Sequence, residues 1–276
     1  MKIGLSSCGF ELNDENFMNL QKSEIECIEI SLPYASYPNL DYANAKRLSD
    51  KYGIELWSYH LPFSGPDICD IASLNNELRK KSVEYWCELI KKGSDIGIDK
   101  FVAHPSSEPK NEGELRTDEI KASMESLDIL AEEAYKNGAQ IAVEDLPRSC
   151  LGRDIKEMET LLSANNKLRI CFDTNHLLKD DNLAFVERLA DKIITLHVSD
   201  YDFIDEKHWL PGEGDVNWQS LYKKLCEAGY NGAWLYELGL RAPKTIVRSR
   251  DLCFEDFYNN ACQIFNGKTL DVIGKR

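Results

Sequence analysis

The stretch 194–218, ITLHVSDYDFIDEKHWLPGEGDVNW, joins a buried strand to a helix through a long polar segment. The apolar run Ile193-Ile194-Thr195-Leu196 ends on His197, the short β-branched pattern of a strand covered on both faces. Asp200, Asp202, Asp205, Glu206 and His208 follow, and the turn Pro211-Gly212-Glu213-Gly214-Asp215 leads into a helix expected near Asn217. Burying polar and charged groups costs free energy unless they have partners. A strand that delivers a histidine and several carboxylates into one loop therefore reads as a wall of a site.

The same strand–loop–helix unit recurs along the chain. Short apolar runs predict strands at 2–7, 27–32, 54–60, 100–104, 140–144, 168–173, 193–198 and 233–238. Helical patterns lie between them near 14–22, 41–52, 74–96, 117–137, 154–164, 181–190, 217–228 and 251–266. In the fourth of these, Ile120, Met124, Leu127, Leu130, Ala131 and Ala134 recur at three and four, and Asn137-Gly138 is a helix stop. Strict alternation of this kind predicts a parallel sheet wound by right-handed crossovers. Eight units in 276 residues, near the ~250 of a typical barrel, predict an α/β protein with a (β/α)8 barrel in one domain over 1–276. A doubly wound open sheet would carry a glycine-rich phosphate turn after its first strand. Ser6-Ser7-Cys8-Gly9-Phe10 is not one.

Composition narrows the class. The net charge of -14 argues against a general nucleic-acid or anionic-membrane binder. The nine cysteines are scattered without C-x-x-C spacing, neither a disulfide framework nor a zinc ribbon. No charged-then-apolar leader opens the sequence, and no run approaches the ~18 apolar residues of a membrane span. These features together lead us to expect a cytoplasmic protein.

In a barrel, the C-terminal ends of the strands share one mouth. Read in order, the predicted strand ends are His60, His104, Glu144, Asp173, His197 and Glu237. The chain has five histidines, and the other two, His176 and His208, fall in the loops after strands six and seven. A single histidine is more often structural than a ligand, but five structural ones would not gather on one rim. Imidazoles and carboxylates converging on a point form a divalent-metal site. Glu144, Asp173, His197 and Glu237 make an oxygen-rich set suited to Mn2+, Mg2+ or Co2+. Zn2+ fits as well if the remaining histidines bind further ions. Without a cation the three carboxylates would repel one another, or hold a proton.

Several segments resemble the xylose isomerase-like barrel superfamily, which includes sugar phosphate isomerases and epimerases and the metal-dependent abasic-site endonucleases. The matching pieces are HLPF (60–63), AHPSS (103–107), AVEDLP (142–147), CFDTNH (171–176), LHVSD (196–200), HWLPGEGDVNW (208–218) and YELG (236–239). The resemblance implies that Glu144, Asp173, His197 and Glu237 hold a catalytic metal, and that His176 contacts substrate or a second metal. It also implies that Glu144 and Glu237 exchange a substrate proton, one on each face. The ketose 3-epimerase branch has a further glutamate and arginine where this chain has Cys150 and Phe203. The endonuclease branch matches all five histidines, His60, His104, His176, His197 and His208, where three zinc ions would be bound. Its Asp-x-His pair in the seventh loop is Glu206-Lys207-His208 here.

Gripping a nucleic-acid backbone calls for a basic mouth. The expected mouth loops are acidic or neutral apart from Arg148, Arg153, Lys207, Arg241 and Lys244, which suits a small sugar or sugar phosphate better than a duplex. The aromatics near strand ends are Tyr34, Trp57, Tyr59, Phe63 and Trp209. Phe63 and Trp209, with Arg148 and Arg241, are the expected substrate contacts. The expectation is a metal-dependent sugar isomerase or epimerase working through an enediolate. A multi-zinc phosphodiesterase, a polyol dehydratase on the same site, and a binding protein that has lost catalysis are its alternatives.

Overall fold

The computed structural model describes residues 1–276. Its eight main strands are β1 (Lys2–Ser6), β2 (Cys27–Ile30), β3 (Glu55–His60), β4 (Lys100–Ala103), β5 (Gln140–Glu144), β6 (Arg169–Asp173), β7 (Ile193–His197) and β8 (Ala233–Tyr236). The helices between and after them are α1 (Asp14–Lys22), α2 (Tyr42–Tyr52), α3 (Asn76–Asp95), α4 (Gly113–Lys136), α5 (Ile155–Leu162), α6 (Asn182–Leu189), α7 (Trp218–Glu227) and α8 (Phe254–Phe265). All strand pairs are parallel, in the order β7-β6-β5-β4-β3-β2-β1-β8. The sheet closes where Val198 meets Tyr236, with Val198 N donating to Leu235 O at 2.8 Å and Glu237 N to Val198 O at 3.2 Å. The fold is the expected (β/α)8 barrel.

Local chemistry explains where the helices begin. Asn13, Asp41, Asn75, Asp154, Asp181 and Asn217 each accept a backbone N–H from the first turn of α1, α2, α3, α5, α6 and α7. Such a cap satisfies one of the donors that a helix start leaves free. Helix α4 starts a turn earlier than the sequence pattern suggested. Its added turn holds Arg116, a buried side chain that donates to Glu157 and to the carbonyls of Ser149 and Cys150.

A cluster of 58 buried residues fills the layer between sheet and helices. Trp218 and Trp234 pack edge to face within it at 5.9 Å, as helix-to-barrel contacts. Small apolar groups fill the barrel interior: Cys27, Ala233 and Leu235 on one side, and Val102, Ala142 and Cys171 on the other. Trp57 packs against the first of these, gives its N–H to Thr195 Oγ1 at 3.1 Å and lies 3.9 Å beneath Lys100 Nζ. It is interior packing and not part of the mouth. Tyr59 is also fully buried, stacked on Tyr42.

Five strands stop one or two residues short of expectation, among them β1 at Ser6 and β7 at His197. Strand β2 stops at Ile30 because the next two amide groups leave the ladder: Ser31 N donates to Ser7 Oγ and Leu32 N to the Tyr37 hydroxyl. His104 lies one residue beyond β4, where Pro105 has no N–H to continue pairing. Glu237 likewise follows β8. An antiparallel ribbon of β9 (Val247–Arg248) and β10 (Gly274–Lys275) was not legible. Two residues per strand leave no periodicity to read. The ribbon is anchored by a buried ion pair between Arg248 and Glu213.

Candidate functional site

The mouth at the C-terminal ends of the strands holds a cavity of about 550 Å³. His104, Glu144, His176, Glu206, His208 and Glu237 line it, together with Phe63, Glu108, Arg148 and Cys150. His60, Asp173 and His197 are fully buried beneath it. The five histidines and three carboxylates read from the strand ends and following loops are thus gathered in one place, from six different strands or their loops.

Glu144 is the hub. Its Oε1 lies 3.0 Å from His197 Nδ1 and 3.6 Å from His176 Nδ1, while its Oε2 lies 3.2 Å from His60 Nε2 and 3.1 Å from His104 Nε2. His197 Nδ1 is also 3.3 Å from Glu237 Oε2 and 3.8 Å from Asp173 Oδ2. One ligand atom from each of Glu144, Asp173, His197 and Glu237 falls within a mutual 4.8 Å. The same holds for His60, His104 and Glu144, and for His176, Glu206 and His208.

The outer ring nitrogens are already committed. His60 Nδ1 faces Leu61 O at 2.9 Å, His176 Nδ1 faces Asp145 O at 2.9 Å, and His208 Nδ1 faces Glu237 O at 3.1 Å. A carbonyl can only accept, so each of these nitrogens carries the hydrogen. On His60 and His176 the other nitrogen then turns toward a carboxylate oxygen with a lone pair, unless the ring is charged. Lone pairs facing carboxylates need a proton or a cation between them. Asp173 Oδ2 is buried with no hydrogen-bond partner, a costly arrangement that a cation would relieve. The donor set therefore fits a divalent metal. Glu144, Asp173, His197 and Glu237 would hold it, and the two outer triads have the composition for further ions.

Ionisation follows the same crowding. Burial opposes charge on Glu144 and Glu237, but His197 and its neighbouring imidazoles outweigh it and hold both well below the usual carboxylate range. Asp173 goes the other way, pushed well up by burial and by the charges of Glu237 and Glu144. Burial lowers His60, yet the Glu144 bond prevails and lifts it to about 9. Burial wins at His104, which falls below its ordinary value. Burial also lifts Asp145, just outside the set, to about 7.

A salt-bridge network narrows the mouth. Arg148, in a left-handed backbone conformation with φ 51°, donates to Glu108 after β4 and to Asp205 after β7, at 2.7 and 2.9 Å. Its guanidinium also lies 2.9 Å from Glu206 Oε1, while the other Glu206 oxygen lies 3.3 Å from His176 Nε2. Those partners hold the Glu206 carboxyl down at about 2 against the effect of burial. Phe63, half exposed, stacks on His104 at 4.5 Å.

Two expected contacts lie elsewhere. Trp209 does not line the cavity: it is buried, donates to Thr245 Oγ1 at 2.9 Å and sits beneath Arg276. Its backbone pairs antiparallel with Asp200. Arg241 is exposed and also outside the cavity. Of the acidic residues after β7, Asp200 is an organiser of the loop. It accepts the N–H groups of Gly212, Gly214 and Val216 and the Trp218 indole. The sequence reading also missed Glu29, fully buried on β2 and 3.1 Å from His197 Nε2. An acidic residue between Ile28 and Ile30 was the available signal, since a strand buries such a group only with partners.

A family model described as xylose isomerase-like TIM barrel matches residues 17–252. The chain belongs to this family. The chain is similar to proteins of different named activity. A probable endonuclease 4 of Finegoldia magna is 28% identical, over 75% of this chain and 82% of its own. A fructoselysine 3-epimerase of Escherichia coli O157:H7 is 22% identical, over 93% of this chain and 100% of its own. Among solved structures, a D-tagatose 3-epimerase-like protein superposes with a TM-score of 0.76 at 24% identity, covering 97% of this chain and 96% of that one. At that identity the likeness speaks for the fold. No helix is long and apolar enough to cross a membrane.

Proposed function

We propose that this member of the family is a divalent-metal-dependent isomerase or epimerase that acts on a small sugar, sugar phosphate or related polyol. The observation that carries the reading is the meeting of Glu144 and Glu237 with Asp173 and His197 at the floor of a cavity of sugar-sized volume. A bound divalent cation would supply the positive charge that polarises a carbonyl and its neighbouring hydroxyl. Mn2+, Mg2+ or Co2+ suits the oxygen-rich donors, and Zn2+ is compatible with the histidines.

The protein's own groups handle the proton. Glu144 and Glu237 are both held ionised, so either can accept a proton from a carbon beside the carbonyl, and the other, once it has taken up a proton from solvent or a substrate hydroxyl, can return one on the opposite face. They come from β5 and from the residue after β8, which lets them approach a sugar from two sides. Phe63 offers an apolar face at the entrance, and Arg148, engaged by Glu108, Asp205 and Glu206, borders it.

The mouth supports a small substrate. Arg148, Arg153 and Lys207 are paired with Glu108, Glu112 and Asp202 respectively, which leaves little free positive charge there to grip a duplex. The test is incubation with candidate ketoses and aldoses in D2O with Mn2+. Deuterium should enter at the carbon next to the carbonyl, and Glu237→Gln should abolish the exchange; unchanged exchange in that variant would overturn the assignment.

A second reading has an observation of its own. The triads His60–His104–Glu144 and His176–Glu206–His208 could hold two further ions, as a multi-zinc phosphodiesterase requires. Three zinc ions per chain together with cleavage of an abasic-site duplex would establish that reading and remove the isomerase.

A further inference from the structure

We propose that Glu29 is a positioning residue for His197, fixing which ring nitrogen faces Glu144, Asp173 and Glu237. The inference rests on the reading of those residues as a metal site. Glu29 is fully buried and accepts from three side chains at once. Ser6 Oγ donates to Oε1 at 3.2 Å and Ser58 Oγ to Oε2 at 2.8 Å. His197 Nε2 lies 3.1 Å from both oxygens.

Strand register builds this cradle. Ser6 on β1, Glu29 on β2 and Ser58 on β3 are lateral partners in adjacent strands, so two hydroxyls flank the carboxylate and hold it in place. His197 comes from β7, which pairs with neither β1, β2 nor β3. The contact therefore crosses the barrel interior and is no by-product of strand pairing.

Both Glu29 oxygens already act as acceptors toward Ser6 and Ser58, so the hydrogen of the contact with His197 sits on Nε2. Nδ1, the atom within 4 Å of Glu144, Glu237 and Asp173, is then the one whose lone pair a cation would take, any proton on it passing to solvent. A carboxylate behind a ligating imidazole also raises the ring's basicity and fixes its orientation. Replacing Glu29 by glutamine keeps the shape but removes the charge. The new amide can donate to Nε2, which would shift the hydrogen to Nδ1 and set it against an incoming cation.

The test titrates the metal-free wild type, Glu29→Gln and Glu29→Asp with Mn2+. We expect Glu29→Gln to bind about 10- to 100-fold more weakly, with Glu29→Asp between it and the wild type. Metal-free Glu29→Gln should keep the wild-type far-UV circular dichroism and melt cooperatively, which separates positioning from misfolding. In Zn2+-loaded protein, nitrogen NMR should show a protonated, slowly exchanging His197 Nε2 in the wild type and loss of that protection in Glu29→Gln. Mn2+ affinity within about twofold of wild type in Glu29→Gln would overturn the proposal. Absence of sugar turnover in a wild type that binds Mn2+ would instead count only against the isomerase reading, and a wild type that binds no divalent ion would remove both.

Discussion

His60 contributes to the pH response of the metal-free protein. Its folded pKa of about 9 stands above the ordinary 6.5, so folding favours the charged ring. That contribution is fully present below about pH 6.5 and is lost as pH rises through about 9. Thermal melts of the metal-free protein should therefore show a midpoint that falls across this window, less steeply in His60→Asn. Saturating divalent metal should reverse the slope, because ligands must release protons to bind. An unchanged slope in His60→Asn would refute the assignment. At this scale the sequence was legible wherever chemistry sat at a strand end, as at Glu144, Asp173 and His197. Glu29 escaped because the expected second strand ran to 32, which placed a carboxylate in mid-strand that in fact lies one residue from the strand's end. Trp209 and Arg241 are in loops, where sequence position says nothing of direction.

The segment between β7 and α7 shows how an element aims a ligand. The Asp200 carboxylate gathers four backbone N–H groups and an indole, folding the Pro211–Gly214 turn back upon the strand. Gly214 is required by this close approach, since a Cβ there would lie 2.1 Å from Asp200 Oδ1. Asp200→Ala should lower stability by about 3 kcal/mol or more, because it strands several buried donors; chemical denaturation measures this directly. Gly214→Ala should leave the barrel folded yet reduce turnover at least tenfold, by displacing Glu206 and His208. Wild-type kinetics in that variant would show the turn to be dispensable. The sequence displayed this loop as a row of carboxylates and glycines. It could not show that Asp200 and Asp202 serve the backbone while Glu206 and His208 face the cavity, because that division depends on how the loop closes.

For the whole molecule, charge and metal act together. A net charge of -14 and a mouth whose nearby cations are mostly paired predict no retention on duplex DNA at physiological salt, measurable by anisotropy. Binding there in the micromolar range or tighter would favour the phosphodiesterase reading. Stripping bound metal with a chelator should lower the thermal midpoint, and adding Mn2+ should restore it, because a ligand that binds only the folded state stabilises it. An unaffected midpoint would speak against a metal held by four buried or nearly buried side chains. The barrel itself was legible, since eight apolar runs alternating with eight helical patterns leave few other ways to bury a parallel sheet. The β9–β10 ribbon was not, because it owes its place to the Arg248–Glu213 pair and not to local preference.

The amino-acid order alone determined the alternation of strand and helix, most helix starts, and the gathering of histidines and acids at one end of the strands. These follow from periodicity and capping, which act within a few residues. Only the tertiary structure decided which ring nitrogens point inward, that Glu144 is shared by four histidines, that Glu29 backs His197 across the barrel, and that Arg148 is held by carboxylates from two other loops. Each depends on distances between residues remote in the chain, set by strand register and barrel closure.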